Sequence, residues 1–272
     1  MPSKLDKAIS ERLEHAVAIA QEAGELTLRY FRRDDLQVER KADKSPVTIA
    51  DRSAEELLRK RISERFPDDS IVGEEFGTTA GTSGYQWALD PIDGTKSFVH
   101  GVPLYTTLVA VLHQDKPRVG VIHAPAAAET VYAQTAGGCW YIGQKGGTPR
   151  AARVSKAARL SESLLLTTEV RTFTDGRSRD AMHVFQSLER SARLTRTWGD
   201  GYGYLMVATG RAEAMVDPEL DIWDMAALQP VIEEAGGTFC DWQGRATVHS
   251  RDAVATNGLV NEEVLAITRT AV

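Results

Sequence analysis

Three times along this 272-residue chain a short apolar run ends in an acid. Ser70-Ile71-Val72-Gly73 runs into Glu74-Glu75, Trp87-Ala88-Leu89 runs into Asp90-Pro91-Ile92-Asp93-Gly94-Thr95, and a third acidic cluster is Trp223-Asp224. A strand that ends in a carboxylate delivers it to the edge of a sheet, where sites gather. The proline turn between Asp90 and Asp93 lets both face one space, and Gly94-Thr95 can present backbone N–H groups to a phosphate at a helix start. Carboxylate oxygens are the hard ligands that Mg²⁺ prefers. Two carboxylates about 4 Å apart repel by roughly 4 kcal/mol at an effective dielectric of about 20, so four converging acids require a cation or a proton. One Asp-Gly pair alone is more often a simple turn. It is the set of acids that points to metal chemistry.

The chain is long enough for one large domain or two small ones, and its core needs no disulfide or structural metal. Leu5, Ile9, Leu13, Val17, Ala20, Gly24, Leu28 and Phe31 recur at helical spacing. A basic loop with Arg40, Lys41 and Lys44 follows, then a second helix with Ala50, Ala54, Leu57, Leu58, Ile62 and Phe66 as its apolar stripe, stopped by Pro67. Residues 104–112, 118–123, 129–133 and 138–142 read as strands of an antiparallel meander. The glycine- and proline-rich stretch 143–149 predicts a boundary between an N-terminal α+β subdomain, 1–145, and a C-terminal α/β subdomain, 146–272. The second half alternates strand-like 164–168, 194–198 and 212–216 with helical 179–188, 202–209 and 225–235. Pro230 should kink the last of these helices.

A net charge of -6 disfavours a nucleic-acid backbone as the main partner. Arg171, Arg177, Arg179, Arg190, Arg193 and Arg196 cluster in one segment and read as solvated surface. Cys139 and Cys240 form no CxxC pair and read as packed hydrophobes. No HxxxH or HExxH pattern occurs among the histidines, although His100 lies close in sequence to the acidic motif. No stretch approaches a membrane span, and residues 1–14 lack a signal-peptide core, so a cytoplasmic location is expected.

Together these stretches resemble the inositol monophosphatase superfamily of lithium-sensitive, metal-dependent phosphatases. Val47-Thr48-Ile49-Ala50-Asp51, Gly73-Glu74-Glu75, Trp87 through Phe98, Trp223-Asp224-Met225-Ala226-Ala227 and Glu234-Ala235-Gly236-Gly237 carry the resemblance, in the family's order. It implies a layered αβαβα sandwich, two or three Mg²⁺ ions and a small phosphorylated metabolite as substrate. It also implies a homodimer, with neither a membrane nor a nucleic acid as partner. By that resemblance Glu74, Asp90 and the carbonyl of Ile92 would ligate a first metal, and Asp90, Asp93 and Asp224 a second. Glu74 would also help hold a third ion, and Glu75 would stand just behind the ligands. Asp51 and Thr95 would orient the attacking water, with Glu74 beside them, and Gly94 and Thr95 would seat the phosphate.

Specificity is expected from the second half. Asp200 in Trp198-Gly199-Asp200-Gly201-Tyr202-Gly203-Tyr204, together with Pro230, resembles the histidinol-phosphate phosphatase branch. Histidinol phosphate carries an ammonium that the Asp200 carboxylate could pair. Asp217 would touch the non-phosphate end of the substrate, with Glu219 or Asp221 adding negative potential. Against this stands a role for Asp200 as a helix cap. Two other functions compete: an inositol, sugar or nucleotide phosphatase, and a non-enzymatic RNA- or polymerase-associated factor. The intact acids argue against the last.

Overall fold

The computed structural model describes residues 4–41, 45–175 and 180–271. Lys44, Arg177 and Arg179 of the sequence reading lie outside these. Helix α1 (Lys4–Leu28) leads to a hairpin, β1 (Val38–Arg40) with β2 (Pro46–Thr48), and then to α2 (Ile49–Arg65). Strands β3 (Ser70–Gly73), β4 (Gly77–Thr79) and β5 (Tyr85–Asp93) precede the short helix α3 (Thr95–Val99). The meander is β6 (Thr106–His113), β7 (Lys116–Ala124), β8 (Glu129–Gln134), β9 (Gly138–Ile142) and β10 (Arg150–Ala151). These strands form one eight-stranded sheet, ordered β10-β9-β8-β7-β6-β5-β3-β4, with only β3 and β5 parallel.

The expected boundary at 143–149 falls inside this sheet. That stretch is a turn returning β10 antiparallel to β9, so the chain leaves the sheet after Ala151. Beyond it come β11 (Leu164–Leu166), α4 (Met182–Ser191), β12 (Leu194–Arg196), α5 (Gly201–Ala208) and β13 (Ala214–Pro218). The chain continues through α6 (Ile222–Met225), α7 (Leu228–Glu234), β14 (Thr238–Cys240), β15 (Asp252–Thr256) and α8 (Asn261–Thr268). The second sheet runs β12-β11-β13-β15-β14. Its β11, β12 and β13 are parallel and β15 antiparallel to both neighbours. Strand β15 and helix α8 are elements that the sequence pattern did not single out.

The layers follow from strand periodicity. In β5 and β6, Trp87, Leu89, Val109 and Val111 bury against α1 and α2 through Ile19, Ala23, Leu58 and Ile62. The alternate residues Ala88, Leu108, Ala110 and Leu112 face the opposite way, into a core shared with Leu205 of α5 and Val231 of α7. That core is closed from the far side by Leu166, Met215 and Ala255 of the second sheet. The other face of the second sheet, with Leu165, Val216 and Val254, packs on Val184 and Leu188 of α4 and Val264 of α8. The order is therefore helix, sheet, helix, sheet, helix, the expected αβαβα sandwich.

The expected kinked helix 225–235 is two helices, α6 and α7, and Pro230 sits in the first turn of α7. There its missing N–H costs nothing, while its ring cannot tolerate the carbonyl of Ala226 in a continuous helix. Ala226 and Ala227 keep right-handed helical backbone angles, so the interruption between α6 and α7 is the expected kink of a helical segment by Pro230.

Candidate active site

Asp90 and Asp93 would point to opposite faces of a regular strand. Strand β5 pairs Asp90 with Leu108 and Asp93 with Thr106, and its register shifts between them. The bulge at Pro91-Ile92 adds the residue needed to bring both carboxylates to the face shared with α5 and the second sheet. Helix α6 brings Asp224 to the same place. One carboxylate oxygen each from Asp90, Asp93 and Asp224 lie within 4.8 Å of one another.

Each acid is braced from behind. Asp90 Oδ1 accepts the N–H of Ile92 at 3.0 Å, and Asp224 Oδ2 accepts the N–H of Asp221 at 2.7 Å. Asp93 Oδ2 accepts the Thr106 hydroxyl at 2.8 Å and the N–H of Gly201. Burial pushes the Asp90 and Asp224 carboxyls well above the usual range, helped by Glu74, Asp93 and Asp224 around Asp90 and chiefly by Asp93 around Asp224. Burial likewise pushes Asp93 up to about 7, against the pull of its Thr106 and Gly201 bonds. Asp90 is buried and Asp93 and Asp224 half-buried, and carboxylates that repel one another in this way are a candidate site for a cation.

Glu74 follows β3, which lies parallel to β5, so both strands release their acids at the same end. Lys41 Nζ bonds Glu74 and Glu75 at 2.6 Å each. Glu55 of α2, fully buried, accepts the N–H of Glu75 at 2.8 Å and of Phe76 at 3.2 Å and fixes this turn. Asp51 is set by the start of α2. The Thr48 N–H and hydroxyl both donate to its Oδ2, at 2.8 and 2.6 Å, leaving Oδ1 for the Thr95 hydroxyl at 3.2 Å. That hydroxyl also lies 3.0 Å from the Ile92 carbonyl. Burial raises the Asp51 pKa.

Beside the acids opens a cavity of about 570 Å³ lined by Glu74, Gly94, Thr95, Lys96, Thr168, Glu169, Gly199 and Asp200, among others. Gly94 has φ +90°, and a Cβ there would lie 2.6 Å from Asp200 Oδ2, so the turn and the close approach both require glycine. Asp200 occupies the N-cap position of α5, yet its side chain makes no capping bond. Its own N–H donates to Thr168 Oγ1 at 2.9 Å. Burial, then the nearby Asp93, push its carboxyl well above the usual range.

Asp217 lies one layer deeper than a direct substrate contact requires. It is 1% exposed, and its oxygens accept from Thr167 Oγ1, from the N–H and hydroxyl of Thr168, and from Tyr204 OH, at 2.7 to 3.1 Å. Thr168, which it grips, faces the cavity instead. Glu219 and Asp221 do not line the cavity either, and Asp221 sits 3.7 Å from Arg251. His100 lines a neighbouring cavity with Arg40 and Lys96. The sequence reading passed over Glu55, Thr106, Thr168 and Glu169. A usable signal existed for Glu169, since Leu164-Leu165-Leu166-Thr167-Thr168-Glu169 is again an apolar run ending in an acid.

A bulged strand delivering paired aspartates, a third aspartate from a helix and a Gly-Thr turn beside them, all between two sheets of an αβαβα sandwich, define a class. Residues 8–272 match the inositol monophosphatase family, and the chain belongs to it. With that family it is a metal-dependent phosphatase, for which Mg²⁺ is the general cation. The chain is 42% identical over 255 residues to the histidinol-phosphatase of Chlorobaculum parvum, covering 93% of this chain and 95% of that one. It is 39% identical to the histidinol-phosphatase of Streptomyces coelicolor, covering 97% of each. In structure it is similar to the Thermotoga maritima IMPase, with a TM-score of 0.84, 30% identity and coverage of 96% and 98%.

Proposed function

We propose that this protein hydrolyses L-histidinol phosphate to L-histidinol and phosphate in histidine biosynthesis, in the cytoplasm, by direct attack of water. The observation that carries the substrate is Asp200. Its carboxylate stands on the cavity wall beside the phosphate seat at Gly94 and Thr95 and is not consumed by a helix cap. Such a group suits an ammonium attached to a phosphate ester, and a purely hydroxylic body gains less from it. The relatives named histidinol-phosphatase support the same reading.

The donor set fits hard divalent cations. Glu74, Asp90, Asp93, Asp224 and the carbonyl of Ile92 would hold two or three Mg²⁺. Bound there, these cations would lower the pKa of a water and would neutralise charge developing on the phosphoryl group. The chain's own groups do the rest. The Thr95 hydroxyl, hydrogen-bonded to Asp51 Oδ1, orients the water and passes its proton towards that buried carboxylate. Backbone N–H groups of Gly94 and Thr95 seat the phosphate. Asp200 binds the ammonium, and Asp217 acts through Thr168 as a positioning residue. The family resemblance adds a homodimer, which light scattering measures directly.

The test is turnover of a panel of phosphate esters with Mg²⁺ and with excess chelator. Histidinol phosphate should give the highest kcat/KM, and chelator should abolish activity. A higher kcat/KM on inositol phosphate would transfer the assignment to an inositol monophosphatase.

A further inference from the structure

Lys96 and Glu169 both line the active-site cavity, and they pair with each other. Lys96 stands on α3, two residues past the Gly94 turn, while Glu169 follows β11 in the other half of the molecule. Their ion pair therefore joins the phosphate side of the cavity to the side carrying Asp200. Asp200 feels both charges: Lys96 draws its pKa down and Glu169 pushes it up, each less than burial and Asp93 do. An ammonium of the protein itself is thus paired with a carboxylate in the same cavity that Asp200 lines.

We propose that the Lys96–Glu169 pair is a placeholder for the two charges of the substrate. On binding, the substrate ammonium takes the place of Lys96 at Glu169, beside Asp200, and Lys96 turns to the phosphate at Gly94 and Thr95. This rests on the reading of the substrate as an ammonium-bearing phosphate ester. The exchange is cheap, because the two side chains are 68% and 36% exposed and such pairs are weak. The flexible lysine stem allows its head to change partners. An ester with a neutral body would draw Lys96 to its phosphate and leave Glu169 without a counter-charge. A ligand carrying both charges leaves neither side chain unpaired, so the pair discriminates by the charge of the ester's body.

The test uses two esters alike except for an amine, 3-aminopropyl phosphate and propyl phosphate, beside histidinol phosphate. The wild-type protein with Mg²⁺ should prefer the amine. Glu169→Gln should lower the amine-to-neutral ratio of kcat/KM by about two- to five-fold. Lys96→Met should weaken both esters yet raise that ratio, because Glu169 is then free for the amine. A merely structural ion pair would move both variants the same way or leave the ratio alone, and either result overturns the proposal, as does a wild-type protein indifferent to the amine. A Glu169-dependent preference without turnover of histidinol phosphate would keep this inference and remove the proposed substrate. Turnover of histidinol phosphate with a ratio indifferent to both changes would do the reverse.

Discussion

The backbone N–H of Gly201 donates to Asp93 Oδ2, joining residues 108 positions apart. One bond thus ties the turn that carries Asp200 to the cluster of Asp90, Asp93 and Asp224. A Cβ at Gly201 would lie 2.4 Å from Thr106 Oγ1 and 2.6 Å from Asp93 Oδ2. Gly201→Ala should therefore destabilise the protein by about 1–3 kcal/mol and displace Asp93. Activity titrated with Mg²⁺ should show a raised half-saturation point. An unchanged Mg²⁺ titration would show that this contact does not set the cluster.

Asp93→Asn should abolish turnover while raising the stability of the metal-free protein. The Thr106 hydroxyl and the Gly201 N–H both use Oδ2, so an amide oxygen in that place keeps both bonds. The charge that repelled Asp90 and Asp224 is then removed. Thermal unfolding in chelator should give a higher Tm for the variant than for the wild type. A lower Tm would mean that the cluster is not under repulsion.

Asp200→Asn should lower kcat/KM on histidinol phosphate by about 10- to 100-fold, the loss of one charge-assisted hydrogen bond. Inositol phosphate, with no ammonium to lose, should be barely affected. Since the side chain makes no capping bond and its charge is opposed by burial and by Asp93, Tm in chelator should not fall. Equal losses on both esters would remove the residue-level argument for the substrate.

The stabilisation by Mg²⁺ should grow with pH. Burial holds the Asp93 carboxyl at about 7 rather than 3.8, so the metal-free folded state binds this proton more tightly than the unfolded state does. Its favourable contribution is full below about pH 4 and is lost as pH rises through about 7. Cations need the ionised cluster and reverse that loss. The Tm difference between Mg²⁺ and chelator should be small at pH 5 and larger at pH 8. Taking the difference cancels His123, whose pKa burial lowers to about 4 and whose contribution is lost on the acid side with or without metal. A difference independent of pH would contradict protonation of the cluster.

Much of this molecule is written locally. The unbroken apolar runs of β5 and β6 mark strands buried on both faces, and so a layer on each side of the sheet. Thr48 and Asp51 close the start of α2 within four residues, and Gly94 marks a left-handed turn. The order of the acids, each behind an apolar run, names the chemistry. What the chain order cannot express is the pairing between distant strands. The register shift against β6 decides that Asp90 and Asp93 share a face, and it exists only once Thr106 and Leu108 lie alongside. The same holds for Asp217, whose burial beneath Thr168 follows from the packing of β13 against β11. Lys96 and Glu169, 73 positions apart, likewise become partners only across the assembled cavity. Propensity, capping and turns act over a few residues, so they are legible in sequence. Register, burial and charge pairing arise from contacts between distant segments, and these only the folded chain determines.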